Sequence, residues 1–222
     1  KDTSRGLGDV YKRQGYSYAD FRCRITNYTA PNIDVVKILE GIYDPKFNKE
    51  VPYEYNYYMV NGYRIFHNED LGSVCDEEVK KLMYEVVYDQ VKQYCMTEFA
   101  LSVGNNESTE QDATLPPISI DMEEYWVTVM PPGSYQRIHS HPPNSLSGTI
   151  ILQAPEGSGD LYIPSPYING IENIIATHKE YIMFPRARQG LLYPSSLPHY
   201  VSRNESDDDR VSISYNLKLK NI

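Results

Sequence analysis

The apolar positions of the chain follow a helical period in its first half. Residues 32–44 and residues 74–100 both place apolar side chains at helical spacing, which predicts a short amphipathic helix and a longer one that packs on the core. Ser73 and Asp76 are candidate N-caps of the longer helix. Between the two helices, Asn61-Gly62 separates two strand-like runs, so we expect a two-residue hairpin with positive φ at both central positions.

From Leu115 onward the helical period is absent, and short apolar runs alternate with turn residues. Many short strands at close spacing are typical of a sandwich, a barrel or a jelly roll. We expect the helices to pack on one face of this sheet and to cover an edge. The predicted strands are 117–122, 124–130, 134–141, 146–153, 159–164, 172–176, 180–185, 190–194, 198–202 and 209–219.

This change of pattern divides the chain into a supporting region, residues 15–114, and a β core, residues 115–222, in one compact unit. Residues 102–114 are polar and rich in turn formers, which predicts a loop. We interpret residues 1–14 as an artefact of metagenomic origin or a disordered terminus, because "DVYKRQ" resembles a translated sequencing adapter.

The composition and net charge of the chain argue against several classes of protein. A net charge of −9 argues against a nucleic acid as the main partner, since phosphate binding needs a basic surface. Neither an apolar run long enough to span a membrane nor a secretory signal is visible. Cys23, Cys75 and Cys95 are scattered and form no C-x-x-C pair, which predicts a reducing, cytoplasmic compartment.

The candidate chemistry begins at His139 and His141, two of only five histidines. On a strand, residues i and i+2 point to the same side, so both imidazoles can reach one metal ion, although such a pair also arises by chance on a strand face. His199 follows a Pro-rich turn and is a candidate third ligand. We interpret His67, before the helical segment, and His178, in a polar turn, as non-ligands.

A second candidate group lies on the predicted strand 209–219, where Arg210 and Ser212 share a face. An arginine that points into a β-barrel is costly unless it meets an anion, and a guanidinium matches a carboxylate with two parallel hydrogen bonds. The alternative is that Arg210 pairs at the surface with Glu205 or with the acidic residues 207–209.

Taken in order, these motifs resemble the 2-oxoglutarate/Fe(II) oxygenase family common in bacterial and phage genomes. The resemblance covers roughly residues 120–218 and implies a mainly β fold, the double-stranded β-helix (a cupin-like jelly roll), with iron at its mouth. Its matching positions are Trp126, Gly133, His139, His141, Pro142, Ser147, Gly148, Gly190, Pro194, His199, Val201, Arg210, Ser212, Ser214 and Asn216.

The resemblance also implies an activity and roles for residues. The activity is an oxidation, expected to be a hydroxylation, in which O2 and 2-oxoglutarate are consumed and succinate and CO2 are released. His139, His141 and His199 would bind Fe(II), and Arg210 with Ser212 would bind 2-oxoglutarate. The expected partner is a small-molecule or peptide substrate, inside a bacterial or phage-infected cell.

The chain departs from the family pattern at three places. His141 stands where the wider superfamily has a carboxylate, and Asp160 is either a substitute carboxylate or a turn residue. Ser165-Pro166-Tyr167 replaces a D-P-R sequence, and no tyrosine lies near Ile151.

Two other interpretations stay open on the sequence alone. One is a cupin-like dioxygenase with three histidine ligands that does not use 2-oxoglutarate. The other is a non-catalytic jelly-roll binding module whose histidines are structural.

Overall fold

The computed structural model describes residues 24–30, 34–43, 58–66, 79, 81–104, 117–164 and 180–221. These residues form two antiparallel sheets and two helices, so the expected mainly β jelly-roll architecture is confirmed. The helices are α1 (Val35–Ile42) and α2, which begins with a π-helical segment (Leu82–Val87) and continues as an α-helix (Tyr88–Gly104). No helix among the described residues is long and apolar enough to cross a membrane.

The large sheet has the strand order β1-β9-β6-β11-β4-β3, and the small sheet has the order β2-β5-β10-β7-β8. The strands are β1 (Thr26–Thr29), β2 (Met59–Val60), β3 (Tyr63–Phe66), β4 (Ile118–Met130), β5 (Tyr135–His139), β6 (Leu146–Gln153), β7 (Leu161–Pro164), β8 (Glu180–Met183), β9 (Gln189–Pro194), β10 (His199–Val201) and β11 (Arg210–Asn221).

Most predicted strands are present: β6 has the predicted bounds 146–153, and the others have shifted ends. The runs 117–122 and 124–130 form the single strand β4, and the predicted strand 172–176 lies outside the described residues, as do the candidate caps Ser73 and Asp76. Helix α2 extends to Gly104, so the start of the predicted loop 102–114 is helical.

The predicted hairpin at Asn61-Gly62 is wrong. Strand β2 pairs with β5 in the small sheet and β3 pairs with β4 in the large sheet, so these two residues carry the chain from one sheet to the other. Asn61 has a φ of 60°, but Gly62 is needed for a close approach instead. A Cβ on Gly62 would lie 2.3 Å from the sulfur of Met59 and 2.9 Å from the carbonyl oxygen of Val129.

Two hydrophobic clusters hold the layers together. In the first, buried side chains of both helices pack against one face of the large sheet, and in the second, side chains of the two sheets meet between them. Strand β11 separates the two clusters, because its side chains alternate between the two faces of the large sheet. Val211, Ile213 and Tyr215 face the helices. The polar residues Arg210 and Ser212 therefore face the space between the sheets, which is where the candidate chemistry lies.

We expect Gly148→Ala to destabilise the fold by ~3 kcal/mol or more, because overpacking against fixed backbone is costly. An added Cβ would lie 2.2 Å from the hydroxyl oxygen of Tyr215 and 2.4 Å from the carbonyl oxygen of Leu191. Urea denaturation measures the loss. Gly157→Ala is the control: its φ of 79° is strained but its surroundings are open, so about 1 kcal/mol is expected. An unchanged urea midpoint for Gly148→Ala would contradict the packing.

Candidate metal centre

The three candidate ligands converge between the sheets. His139 ends β5 and lies directly opposite His199, the first residue of β10, while His141 follows two residues after β5. One ligand nitrogen from each lies within 4.8 Å of the others, and the ring centroids are 4.3 to 5.1 Å apart. His139 and His199 are buried and His141 is half-buried, so the cluster sits at the mouth of a pocket.

Backbone carbonyls select which ring nitrogen of two histidines can bind a metal. The Nδ1 atom of His139 lies 2.7 Å from the carbonyl oxygen of Arg137, and that of His199 lies 3.2 Å from the carbonyl oxygen of Leu197. A carbonyl oxygen only accepts hydrogen bonds, so each Nδ1 carries the proton. Each Nε2 therefore presents its lone pair, which is the arrangement that metal-binding histidines use.

Aromatic rings surround the cluster. The ring of Tyr58 stacks on His139 at 5.1 Å, and the ring of Trp126 lies 5.7 Å from His141. Tyr193 contacts His199 edge-on at 5.0 Å, and burial raises the pKa of its phenol, which keeps it protonated. The sequence did not identify Tyr58 or Tyr193 as site residues. For Tyr193, side-chain alternation along β9 could have indicated a position that faces the pocket, and no comparable signal marks Tyr58.

Arg210 is buried on the same pocket, with 1% of its surface exposed. Its Nη1 lies 3.4 Å from the hydroxyl of Ser212 and 3.9 Å from the sulfur of Met130, while its Nε and Nη2 have no hydrogen-bond partner. Burial lowers the pKa of Arg210 to about 10, and Asp160 opposes this shift, so the guanidinium stays charged at neutral pH. The alternative of a surface ion pair with the neighbouring acidic residues is excluded by this burial.

Asp160 does not join the histidines. Among the described residues the ligand cluster contains only His139, His141 and His199, and Asp160 instead stands near Arg210. The backbone N–H of Asp160 donates to the hydroxyl of Ser202 at 2.9 Å. His67, His178 and the Ser165-Pro166-Tyr167 sequence lie outside the described residues.

The site fits a divalent iron and a carboxylate. Three imidazole nitrogens are a donor set that Fe(II) accepts, and they leave coordination positions for other ligands. Two N–H groups of one buried, charged guanidinium have no hydrogen-bond partner, which is costly unless an anion binds there.

Comparison with known proteins connects this geometry to a family. The model of the family described as "Putative 2OG-Fe(II) oxygenase" matches residues 124–216, from β4 to β11, and so includes all three histidines and Arg210. None of the curated protein sequences is a significant match.

Solved structures share the fold at low sequence identity. A prolyl-4-hydroxylase from Pseudomonas putida is 16% identical with a TM-score of 0.52, covering 87% of this chain and 91% of that one. AviO1 from Streptomyces viridochromogenes Tue57 is 15% identical with a TM-score of 0.54, covering 89% and 90%. SnoN, a non-heme alpha-ketoglutarate-dependent epimerase from nogalamycin biosynthesis, is 13% identical with a TM-score of 0.56, covering 89% and 77%.

Proposed function

We propose that His139, His141 and His199 are the iron ligands of this chain, which belongs through residues 124–216 to the 2OG-Fe(II) oxygenase family. The chain is thus an oxidoreductase that uses Fe(II), 2-oxoglutarate and O2. The observation that carries the ligand assignment is the convergence of one nitrogen from each histidine to within 4.8 Å, beside a buried arginine.

Arg210 and Ser212 are proposed to bind the distal carboxylate of 2-oxoglutarate. The Nε and Nη2 groups of Arg210 form one edge of the guanidinium, which matches a carboxylate with two parallel N–H donors. Ser212 holds the Nη1 side of the same guanidinium and thereby fixes its plane. Met130 is buried and its sulfur lies 3.9 Å from Nη1, so the guanidinium is in apolar surroundings that strengthen a charged contact.

When bound, iron supplies the oxidation of a substrate C–H bond by O2, coupled to decarboxylation of 2-oxoglutarate to succinate and CO2. The chain's own residues hold and shield these reactants. His139 and His199 keep their Nδ1 protons on backbone carbonyls, so both rings stay oriented toward the centre. Tyr58 and Trp126 cover two of the ligand rings and limit the access of water.

The neutral His141 in place of a carboxylate leaves the centre about one charge unit more positive, which favours a dianionic cosubstrate. A three-histidine site also suits a dioxygenase that does not use 2-oxoglutarate. Arg210, buried in the same pocket, favours the activity that uses 2-oxoglutarate, because the carboxylate of that cosubstrate would be the anion for the two unpartnered N–H groups. A dioxygenase without 2-oxoglutarate supplies no such anion.

The reaction is proposed to be a hydroxylation of a small molecule or peptide that enters beside Tyr58 and His141. We further propose a cytoplasmic, reducing location, supported by three scattered cysteines without a C-x-x-C pair. The acidic net charge of −9 supports the view that nucleic acid is not the partner.

Anaerobic titration of the chain with Fe(II) and then 2-oxoglutarate tests this function. We expect one equivalent of iron to bind and a visible iron-to-2-oxoglutarate charge-transfer band to appear only when both are present. On addition of O2, succinate formation should follow across a substrate library. Iron binding without the band would favour the dioxygenase that does not use 2-oxoglutarate, and absence of both would favour a non-catalytic module.

A further inference from the structure

We propose that a buried chain of hydrogen bonds, formed by Glu124, Asn216, Ser147 and Ser195, positions His141 for metal binding. This positioning chain rests on the proposed function, because it assigns to four further residues a role in holding one ligand of that centre. The hydrogen bonds of the candidate cosubstrate residue Arg210 go instead to Met130 and Ser212.

The positioning chain is continuous and short. The hydroxyl oxygens of Ser195 and Ser147 are 2.7 Å apart, the Ser147 hydroxyl lies 2.7 Å from Oδ1 of Asn216, and Nδ2 of Asn216 lies 2.7 Å from Oε1 of Glu124. Ser195, Ser147 and Asn216 are each at most 1% exposed, whereas Glu124 is at the surface. The positioning chain therefore connects the exposed Glu124, in the middle of β4, with the interior.

The carboxylate of Glu124 determines the direction of every hydrogen bond in the positioning chain. Glu124 can only accept, so the Asn216 amide group must turn its N–H toward Glu124 and its oxygen toward Ser147. The Ser147 hydroxyl must then donate to Asn216, and the Ser195 hydroxyl must donate to Ser147. Aligned donors that end on a charge strengthen one another.

The inner end of the positioning chain reaches His141 through the backbone. The N–H of His141 donates to the carbonyl oxygen of Ser195 at 2.8 Å, and the N–H of Ser195 donates to the carbonyl oxygen of Ser145 at 3.2 Å. Asn144 donates to the carbonyl oxygen of His141 at 3.1 Å, which closes the turn after the ligand. Fixing the Ser195 side chain thus fixes the backbone group that holds His141.

His141 needs such an anchor more than the other two ligands. His139 and His199 are paired with each other in the ladder of the small sheet, whereas His141 lies beyond the last residue of β5. Three buried polar side chains would be costlier than apolar ones unless their hydrogen bonds are all made. Their hydrogen bonds to one another, which lead to the one ligand outside a strand, are what a positioning role explains.

The test measures Co(II), as a spectroscopic substitute for Fe(II), binding anaerobically to the full chain. In Ser147→Ala, Asn216→Asp and Glu124→Ala, we expect the dissociation constant to rise about 10- to 100-fold, the range seen when partners behind a metal ligand are removed. The visible Co(II) d–d bands should also shift, because the third nitrogen binds less completely. Asn216→Asp keeps the volume and replaces the N–H donor with an acceptor.

Two matched surface variants serve as controls. Glu123→Ala removes the neighbouring carboxylate, which pairs with Lys218 at 2.9 Å outside the positioning chain, and it should leave the Co(II) spectrum unchanged. Glu124→Gln retains an acceptor for Asn216 and should restore an affinity near that of the unmodified chain.

The outcomes separate this proposal from the proposed function. A lower melting temperature with unchanged Co(II) affinity and bands in all three variants would mean a purely structural role and would overturn the positioning role alone. If the unmodified chain itself binds no Co(II), the metal centre fails, and this proposal fails with it. Glu124→Ala, at an exposed position, gives a folded protein in either case.

Discussion

Replacing Arg210 with methionine is expected to abolish 2-oxoglutarate-dependent succinate formation while metal binding and folding survive. Methionine keeps most of the apolar stem of arginine but removes the charged guanidinium. The Nε and Nη2 atoms of that group have no hydrogen-bond partner in the buried pocket. Losing one side of a buried charged hydrogen-bonded pair costs about 2–5 kcal/mol, so the dissociation constant of 2-oxoglutarate should rise roughly 30-fold to several thousand-fold. Isothermal titration with the Co(II)-loaded chain measures this loss.

The same substitution should leave thermal stability equal or higher. An unpaired buried charge is costly in the free protein, and an apolar residue of similar volume removes that cost. Arg210→Lys is the conservative variant: it keeps the charge but loses the two-pronged geometry, so an intermediate affinity is expected. Arg186→Met, at an exposed position, is the surface control. Unchanged succinate formation in Arg210→Met would remove the cosubstrate role and favour the three-histidine alternative.

Replacing His199 with alanine is expected to remove metal binding almost completely. His199 is 4% exposed and its ring lies 4.3 Å from that of His139, so no other described ligand can take its place. Loss of one of three ligands should weaken Co(II) binding by at least about 100-fold, a larger effect than loss of an outer partner. Equilibrium titration by Co(II) absorption measures it.

Tyr200→Phe is the matched control for His199→Ala, because Tyr200 is the next residue of β10 and its hydroxyl contacts Glu180 away from the histidines. His141→Asp tests the third ligand directly. If His141 binds metal, a carboxylate at that position should retain Co(II) with shifted bands, since the wider superfamily uses a carboxylate there. Equal binding by His199→Ala and the unmodified chain would refute the proposed centre.

The sequence predicted the parts of this protein that depend on local periodicity. Strand period 2 puts Arg210 and Ser212 together on β11. Helix α1 lies inside the predicted range 32–44 for the same reason. Such patterns depend only on residues a few positions apart, so they can be recognised without knowing which distant segments pack together. Strand period 2 does not place His141, because the predicted strand 134–141 ends at His139, and His141 reaches the cluster from the turn after β5.

The errors arose where a local pattern is compatible with more than one tertiary arrangement. Asn61-Gly62 is a hairpin sequence, yet the flanking strands pair with β5 and β4 in different sheets. A Gly in a turn is needed either for positive φ or for a close approach, and only the packing against Met59 selects the second.

By itself, therefore, the sequence determined the mainly β core, the ordered histidines and arginine, and the family they resemble. Only the tertiary structure decided that His199 lies opposite His139, and that Arg210 is buried with two N–H groups unpartnered among the described residues. It also decided that a chain of hydrogen bonds from Glu124 leads to Ser195, whose carbonyl accepts from the N–H of His141. The physical reason is that side-chain alternation is a property of neighbouring residues. Strand pairing, burial and hydrogen-bond partners depend on segments that are far apart in the sequence.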